Sequence, residues 1–250
     1  MKYFLILFLL ISLLSFNYVY AENIIPITQS SGMGNIEFDG KWTNEIEWKP
    51  TALFELPTEN GKIYLRSAHQ GNFIYFMIDA VPDTKVTSSD QATICFDTNN
   101  DKSQSPDDND FCFSVNVNND SGKTLNGNGQ EFVEIKNHDG FVAVGTTSDH
   151  NDRYSKTPHA SYEFKIPTDL VGRTDTYGFY FAVYDAQNNN YFWPTESSTD
   201  PMISPDKWGI LISPDKSLPE FNIAFVILIS SFLLIIFFTK NNFKLFSTLR

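Results

Sequence analysis

The sequence has few of the residues that form most enzyme active sites. Only two cysteines and four histidines occur in 250 residues, and the histidines show no spacing typical of metal ligands. The sequence contains neither a Cys-x-x-Cys-His haem attachment motif nor the nucleophile elbow of the α/β hydrolases. Because these motifs are missing, we expect no covalently attached haem and no catalytic activity.

Amphipathic helices are also missing from the middle of the chain. Between residues 22 and 218 no run of helical length repeats its apolar positions with a helical period, and only Thr168-Asp169-Leu170-Val171 suggests a turn of helix. β-branched and aromatic runs, separated by Gly, Asn, Asp and Pro, predict eight strands at residues 62–66, 72–78, 92–96, 111–115, 131–135, 141–144, 160–166 and 177–184. Many strands without crossover helices predict an all-β fold, an antiparallel β-sandwich of the jelly-roll type.

Positive charge is scarce between the two apolar ends of the chain. This region holds all 30 acidic residues but only 14 of the 18 lysines and arginines, which gives it a formal charge of −16. Such a surface repels phosphate backbones, so we expect no nucleic acid partner. No repeat or long low-complexity segment divides the region, and its length predicts one domain.

Residues 1–21 have the features of a signal peptide. Lys2 precedes an apolar stretch from Tyr3 to Leu14, and Val19-Tyr20-Ala21 is the small-residue pattern that a signal peptidase accepts. We therefore expect export and a mature protein that begins at Glu22. Asn119-Asp120-Ser121 is an N-glycosylation sequon, which fits a surface loop of an exported protein.

Residues 221–239 predict one transmembrane helix. These 19 residues carry no charge and would span about 28 Å as a helix. Their apolar side chains lie on every side, which argues against a buried core helix. The basic tail, residues 240–250, is expected in the cytoplasm, so the body of the protein lies on the extracellular face of the cell membrane.

The boundary of this helix resembles a known sorting motif. Pro219-Glu220-Phe221, followed by a hydrophobic helix and a short basic tail, is similar to the PEF-type sorting signal of archaeal surface proteins. The resemblance implies an archaeosortase as a partner and transfer of the body to a lipid. A plain single-span anchor is the alternative.

Several motifs in the body occur in an order that is typical of one family. They are Ile36-Glu37-Phe38-Asp39-Gly40-Lys41 with Glu45 and Trp48, the His-x-Gly-Asn-x-x-Tyr turn into a strand from His69 to Phe76, Asp83-Thr84, the aspartate-rich segment at Asp97, Tyr162-Glu163-Phe164-Lys165-Ile166-Pro167, Trp193-Pro194 and Trp208-Gly209. The chain resembles carbohydrate-binding module family 9, and through it the DOMON and ethylbenzene-dehydrogenase haem-binding domains. The resemblance covers a predicted domain at residues 34–213, between linkers at residues 22–33 and 214–220. It implies a sandwich that binds a small molecule, most often a sugar, without catalysis.

An acidic segment between two predicted strands predicts a calcium site. Six oxygen-bearing residues are the candidate ligands: Asp97, Asn99, Asp101, Asp107, Asp108 and Asp110. The first three match positions 1, 3 and 5 of an EF-hand loop, but Lys102 replaces the turn glycine and strands flank the loop. We therefore expect a calcium-binding β-hairpin loop that is not an EF-hand. A solvated acidic turn is the alternative.

The two cysteines are expected to form a disulfide at the base of this loop. Cys95 and Cys112 lie just outside it, and in a symmetric hairpin they face each other while Asp97 faces Asp110. An exported protein permits a disulfide, and closing a loop of about 16 residues would stabilise the fold by ~3 kcal/mol. Two buried free thiols are the alternative.

A sugar-binding site is expected to contain an aromatic ring surrounded by polar side chains. Trp193, with Tyr191 and Glu196 beside it in a loop-rich segment, is the first candidate, and Trp42 is the second. Trp48 and Trp208 are expected in the core.

Two functions other than carbohydrate or surface-polymer binding remain open. A structural surface-layer or adhesion component would use the sandwich as a scaffold and the calcium loop for assembly. A haem-binding electron-transfer domain would need axial ligands, for which the candidates are Met77, His69, His138, His150 and His159.

Overall fold

All eight predicted strands are present in the computed structural model, which describes residues 23–187, 190–195 and 204–214. The predicted signal peptide, the motif Pro219-Glu220-Phe221, the segment 221–239 and the basic tail lie outside these residues. In the three described ranges, no helix is long and apolar enough to cross a membrane.

The described residues form fourteen strands and one short α-helix. The strands are β1 (Ile24–Pro26), β2 (Thr28–Gln29), β3 (Ala52–Thr58), β4 (Gly61–Gln70), β5 (Phe73–Ala80), β6 (Gln91–Asp97), β7 (Asp110–Asn116), β8 (Lys123–Gly127), β9 (Phe132–Ile135), β10 (Val142–Thr147), β11 (Ala160–Pro167), β12 (Thr176–Tyr184), β13 (Asn190–Trp193) and β14 (Gly209–Ile212). The helical turn predicted at Thr168 is α1 (Thr168–Val171), and 3-10 turns form at Met33–Asn35 and Pro205–Lys207.

The strands form two sheets that pack face to face. An eight-stranded sheet has the order β1-β14-β12-β6-β7-β8-β9, with β13 pairing the end of β12 that β14 leaves open. A six-stranded sheet has the order β10-β11-β5-β4-β2, with β3 pairing the rest of β4. This arrangement is the predicted all-β sandwich.

The N-terminal segment differs from the prediction. Residues 22–33 were expected to be a linker, but β1 pairs in parallel with β14 and β2 pairs in parallel with β4. Ile25 and Ile27 are buried in the core between the sheets. The apolar side chains explain the correction, since burying them stabilises both parallel pairs, and the sandwich is therefore mixed at these two edges.

Three further strands have no clear sequence pattern. β3 contains Pro57, β8 contains Lys123, Asn126 and Gly127, and β13 is only four residues long. Proline is tolerated at sheet edges, and β3 and β13 each pair with one neighbouring strand only. These strands owe their conformation to the partners they pair with, which a short window of sequence does not reveal.

Aromatic rings from both sheets fill the core. Phe76 of the six-stranded sheet stacks on Phe179 of the eight-stranded sheet at 5.4 Å between ring centroids, and Phe96 packs edge-on against Phe179 at 5.5 Å. A second apolar cluster covers the outer face of the six-stranded sheet and contains Trp42, Trp48 and Met77.

The buried Glu163 holds the N-terminal segment over this outer face. Its carboxylate accepts hydrogen bonds from Nε1 of Trp48 and from the backbone N–H of Gly40, both at 2.8 Å. Burial raises the pKa of Glu163 well above its ordinary value, although these two donors oppose the shift. The positions of Trp48 and Trp208 in buried clusters are those predicted.

Candidate functional site

The acidic loop joins two strands whose ends face each other as predicted. Asp97 ends β6, Asp110 begins β7, and the two residues are paired in the register, as are Cys95 and Cys112. Both carboxylates are buried, whereas Asn99, Asp101 and Asp108 are exposed. The loop therefore has a buried base and a solvated tip.

Several side-chain oxygens of the loop already accept hydrogen bonds from other groups in the loop. Asp97 accepts from the backbone N–H groups of Lys102 at 3.0 Å and Asp101 at 3.3 Å, and Asp101 accepts from Asn99 at 2.8 Å. In the described part of the chain, two groups of three acidic or histidine side chains have ligand atoms within 4.8 Å of one another, and neither group lies in this loop. The six predicted ligands are thus near one another without forming a tight carboxylate cluster.

Three oxygens in the loop are buried without a hydrogen-bond partner. They belong to Asn100, Asn109 and Asp110. Burial raises the pKa of Asp110 to about 7, and the charges of Asp97 and Asp107 add to the shift. Oxygens of this kind are the ligands that calcium prefers.

The predicted disulfide is present in the structure. Cys95 and Cys112 are bonded on the outer face of the eight-stranded sheet, where they pack with Tyr180 and Trp208. The alternation that places Ile94, Phe96 and Phe113 in the core puts the cysteines on the opposite face. The described residues contain no free cysteine.

A second acidic group lies at one end of the sandwich and is buried. Asp83 follows β5, Asp90 precedes β6 and Asp185 follows β12, and one carboxylate oxygen from each lies within 4.8 Å of the others. None of the three residues is more than 6% exposed. Asp90 and Asp185 continue the inward-facing alternation of Ala92 and Val183, which explains why they project between the sheets.

The electrostatics of this group are unfavourable for three carboxylates alone. Burial, together with the charges of Asp90 and Asp185, raises the pKa of Asp83 to about 7. The backbone N–H of Lys85 offsets only part of this shift. Neither oxygen of Asp83 makes a hydrogen bond of normal geometry. Asp90, by contrast, accepts from the hydroxyl of Thr87 and from the N–H of Ala186, both at 2.9 Å.

A third buried group contains Asp79, Asp152 and His159. One ring nitrogen of His159 bonds Asp79, and the other lies 2.7 Å from the carbonyl oxygen of Thr157. With an acceptor at each nitrogen, the ring is suited to the imidazolium form, and Asp79 raises the pKa of His159 against the effect of burial. The contact with Asp79 links His159 to β5, while one carboxylate oxygen each of Asp79 and Asp152 is buried without a hydrogen-bond partner.

A groove opens between the edge strands of the two sheets. Its volume is about 340 Å³, and it lies between the β3–β4 turn and β13. Tyr191 and Phe192 line it with half-buried rings on opposite faces of β13, Tyr191 packed partly against the core and Phe192 against the outer cluster of Tyr180 and Trp208. Glu59, Asn60 and Asn190 contribute polar groups beside them. Apolar ring surface next to amide and carboxylate groups is the combination that binds saccharides.

Of the three predicted ligand-binding residues that the structure describes, Tyr191 alone lies in this groove. Trp193 is only 4% exposed and packs in the core, with its ring 5.6 Å from Phe54 and 6.4 Å from Phe181. The prediction of Trp193 as an exposed platform is therefore wrong, because the segment is strand β13 and its alternation turns Trp193 inward. Gly209 is required beside it, since a Cβ there would overlap the indole. Glu196 lies outside the described residues.

Trp42 is also buried, at 3% exposure, and its prediction as a ligand platform is wrong. The guanidinium groups of Arg66 and Arg153 lie 5.5 and 5.4 Å from its ring centroid, and Tyr154 packs against its edge. These contacts occupy the ring surface that a sugar would need.

The haem candidates have other roles in the fold. Met77 is fully buried in the cluster of Trp42 and Trp48, and His159 is bonded to Asp79. His159 directly precedes β11 and is completely buried. Iron ligation by either residue would disrupt these contacts.

The sequon residue Asn119 is exposed in a turn after β7, and its side chain accepts a hydrogen bond from the N–H of Ser121 at 2.8 Å. The position is accessible, and its glycosylation stays a prediction.

Solved structures that are similar to this chain include two of one carbohydrate-binding module. Both are of a carbohydrate-binding module family 9 from Caldicellulosiruptor kristjanssonii, one in complex with cellotriose and the other with glucose. The first has 16% identity and a TM-score of 0.48, and the similarity covers 80% of this chain and 100% of that chain. The second has 16% identity and a TM-score of 0.49, with 78% and 99% covered. A likeness at this identity does not establish what this chain binds. No protein-family model and no curated protein matches the sequence.

Proposed function

We propose that this protein is a non-catalytic cell-surface protein that binds carbohydrate or a surface polymer in the groove at Tyr191. The observation that carries the proposal is the placement of Tyr191 and Phe192 among Glu59, Asn60 and Asn190. Aromatic rings cover the apolar face of a pyranose, and the amide and carboxylate groups bond its hydroxyls. The order of sequence motifs that resembles carbohydrate-binding module family 9 supports the same class of ligand.

The proposal includes a structural calcium ion in the acidic loop. The unpartnered oxygens of Asn100, Asn109 and Asp110 support it, because each would gain a ligand bond that the fold does not supply. The disulfide at the base of the loop keeps Asp97 and Asp110 opposite each other before the ion binds, which lowers the entropic cost of ordering the site.

The proposal also includes an anchor on the extracellular face of the membrane. The uncharged segment 221–239 supports a single-span anchor, and Pro219-Glu220-Phe221 supports processing by an archaeosortase that would leave a lipid anchor. Mass spectrometry of the protein from its native membrane distinguishes the two, since processing removes the segment and adds the lipid mass.

A glycan array probed with the full-length protein in detergent and calcium tests the saccharide site. Glucose and cellotriose belong among the probes, and the dissociation constants of positive glycans follow from calorimetry. We expect Tyr191→Ala to weaken binding about tenfold, because it removes the apolar surface and the stacking contact of one ring. Phe132→Ala is the matched control, since Phe132 is a half-buried ring on the far edge strand β9 and should bind as the unchanged protein does.

Two results would contradict the saccharide proposal. One is the absence of any glycan signal together with calcium-dependent self-association, which is the behaviour of a surface-layer component. The other is an equal loss of binding in Tyr191→Ala and Phe132→Ala, which would place the ligand elsewhere or reflect a general loss of folding.

A further inference from the structure

The group of Asp83, Asp90 and Asp185 joins parts of the molecule that are distant in sequence. Asp90 and Asp185 flank the paired strands β6 and β12 of the eight-stranded sheet, where Gln91 faces Tyr184. Asp83 follows β5 of the six-stranded sheet, and its backbone carbonyl accepts from Ala160. The three carboxylates therefore meet at the end of the core, where the two sheets come together.

Polar oxygens in this place lack the partners that burial requires. Both carboxylate oxygens of Asp83 are unpartnered although the residue is 1% exposed. Tyr162 of β11 is fully buried, its hydroxyl also has no hydrogen-bond partner, and all three aspartates act on it electrostatically. Buried polar groups in native proteins nearly always have a partner, so these three oxygens, two of Asp83 and one of Tyr162, indicate a missing ligand.

The chemistry of these donors selects the ligand. All are oxygens, and a bound cation would offset the charge of carboxylates that burial otherwise drives towards the protonated form. Two oxygens on opposite sides of Ca²⁺ lie about 4.6–5.2 Å apart, whereas around Mg²⁺ they lie about 4.0–4.2 Å apart. The carboxylate oxygens lie within 4.8 Å of one another, a spacing that either ion can bridge. Calcium is favoured because it takes oxygen ligands in flexible geometry, whereas Mg²⁺ demands a near-ideal octahedron and keeps several waters. His159 is the nearby basic group and is bonded to Asp79.

We propose that Asp83, Asp90 and Asp185 bind one divalent cation of the calcium class, with the hydroxyl of Tyr162 facing the ion, and that this ion supports the groove at Tyr191. Asp185 directly follows Tyr184, which pairs with Asn190 of β13, and it accepts from the N–H of Gln187 at 2.7 Å. Tyr191 lies close enough for the charges of Asp185 and Asp83 to act on its hydroxyl. Fixing Asp185 therefore fixes the strand that carries the ring. The part of the inference that concerns the groove rests on the proposed function.

Calcium titration of the full-length protein in detergent, after treatment with EDTA, tests the cation site. We expect Asp83→Asn to lose at least about tenfold in affinity at one site, because it removes one of three ligand charges. Asp169→Asn is the matched control: it makes the same change at an exposed aspartate of α1, outside both proposed calcium sites, and should leave the calcium isotherm unchanged. Identical calcium isotherms for Asp83→Asn and the unchanged protein would overturn the proposal.

Thermal unfolding separates ion binding from a purely structural role of Asp83. Without calcium, Asp83→Asn should have a higher Tm than the unchanged protein, because it relieves repulsion among the carboxylates. With calcium the order should reverse, because the unchanged protein alone gains the full stabilisation of a bound ion. A lower Tm of Asp83→Asn under both conditions would contradict the proposal. If Asp83→Asn does not fold, Asp185→Asn carries the same prediction.

Saccharide binding distinguishes failure of this inference from failure of the proposed function. A glycan that binds with calcium, and at least about tenfold more weakly both in EDTA and in Asp83→Asn with calcium present, supports the coupling. Equal glycan binding under all conditions contradicts the coupling while leaving the saccharide site in place. Calcium binding at Asp83 without any glycan binding contradicts the proposed function and leaves the cation site in place.

Discussion

The acidic loop and the buried aspartate group present the same oxygen chemistry in two opposite ways. The loop concentrates its side chains in one continuous segment, residues 97–110, with an exposed tip. The group of Asp83, Asp90 and Asp185 draws one residue from each of three strand ends and is almost fully buried. Several side-chain oxygens of the loop accept hydrogen bonds from within the loop, whereas neither carboxylate oxygen of Asp83 makes a hydrogen bond of normal geometry. Density of acidic residues in sequence is therefore a poor guide to where the fold most needs a cation.

Within the acidic loop, the largest change in the free energy of unfolding is expected from removing the disulfide at its base. Replacing Cys95 and Cys112 together by alanine should lower the free energy of unfolding by ~3 kcal/mol, because the unfolded chain gains the freedom of the opened loop. Urea unfolding of the full-length protein measures the change. Thr93→Ala with Ser114→Ala is the matched control, since these residues face each other on the same two strands without a cross-link. A loss no larger than that of the control would show that the cross-link does not constrain the loop.

A smaller change in the free energy of unfolding, on the order of 1–3 kcal/mol, is expected when Asp79 and His159 lose their protons. Burial raises the pKa of Asp79 to about 7, and Asp79 raises that of His159, so the folded protein holds protons that the unfolded chain releases. The contribution of Asp79 to the free energy of unfolding should fall as the pH rises from its ordinary pKa near 3.8 towards 7. The contribution of His159 should fall as the pH rises above 6.5, its ordinary pKa.

Unfolding in urea and EDTA at pH 5 and pH 8 measures this dependence. The double variant Asp79→Asn, His159→Gln should lose less stability between the two pH values than the unchanged protein, whatever its absolute stability. Asp152, the third member of the group, is retained in both proteins. A steeper loss in the variant would contradict the assigned direction of the shifts.

The smallest effect is expected at the exposed tip of the loop. In calcium-free buffer, Asp101→Asn should change the free energy of unfolding by less than about 0.5 kcal/mol, because the side chain is exposed and an amide keeps its acceptor oxygen. If the loop binds calcium, the same substitution should reduce the rise in Tm that calcium produces. An unchanged calcium effect would favour the solvated acidic turn.

Much of the fold could be predicted because its strands carry local signals. The eight predicted strands, the short helix at Thr168 and the pairing of Cys95 with Cys112 all follow from alternation and hairpin symmetry. β1 and β2 could not be predicted, because two isolated isoleucines in a short segment do not distinguish an edge strand from a linker. Their role depends on partners far along the chain.

The site was predicted less well because its parts converge only in three dimensions. Tyr191 was found beside Trp193 by composition, but the inward direction of Trp193 depends on the register of β13 with β12. Asp83, Asp90 and Asp185 are separated by many residues and have no motif spacing. The signal that points to them is positional: each flanks a buried strand at the same end of the sandwich.

The most direct test of the account is a crystal structure of the protein grown with Tb³⁺ in place of calcium. The anomalous scattering of the ion locates each bound cation without reference to any variant. The account predicts a peak bounded by Asp83, Asp90 and Asp185, with the hydroxyl of Tyr162 facing it. A map with ions at surface carboxylates and no peak among these three residues would contradict it.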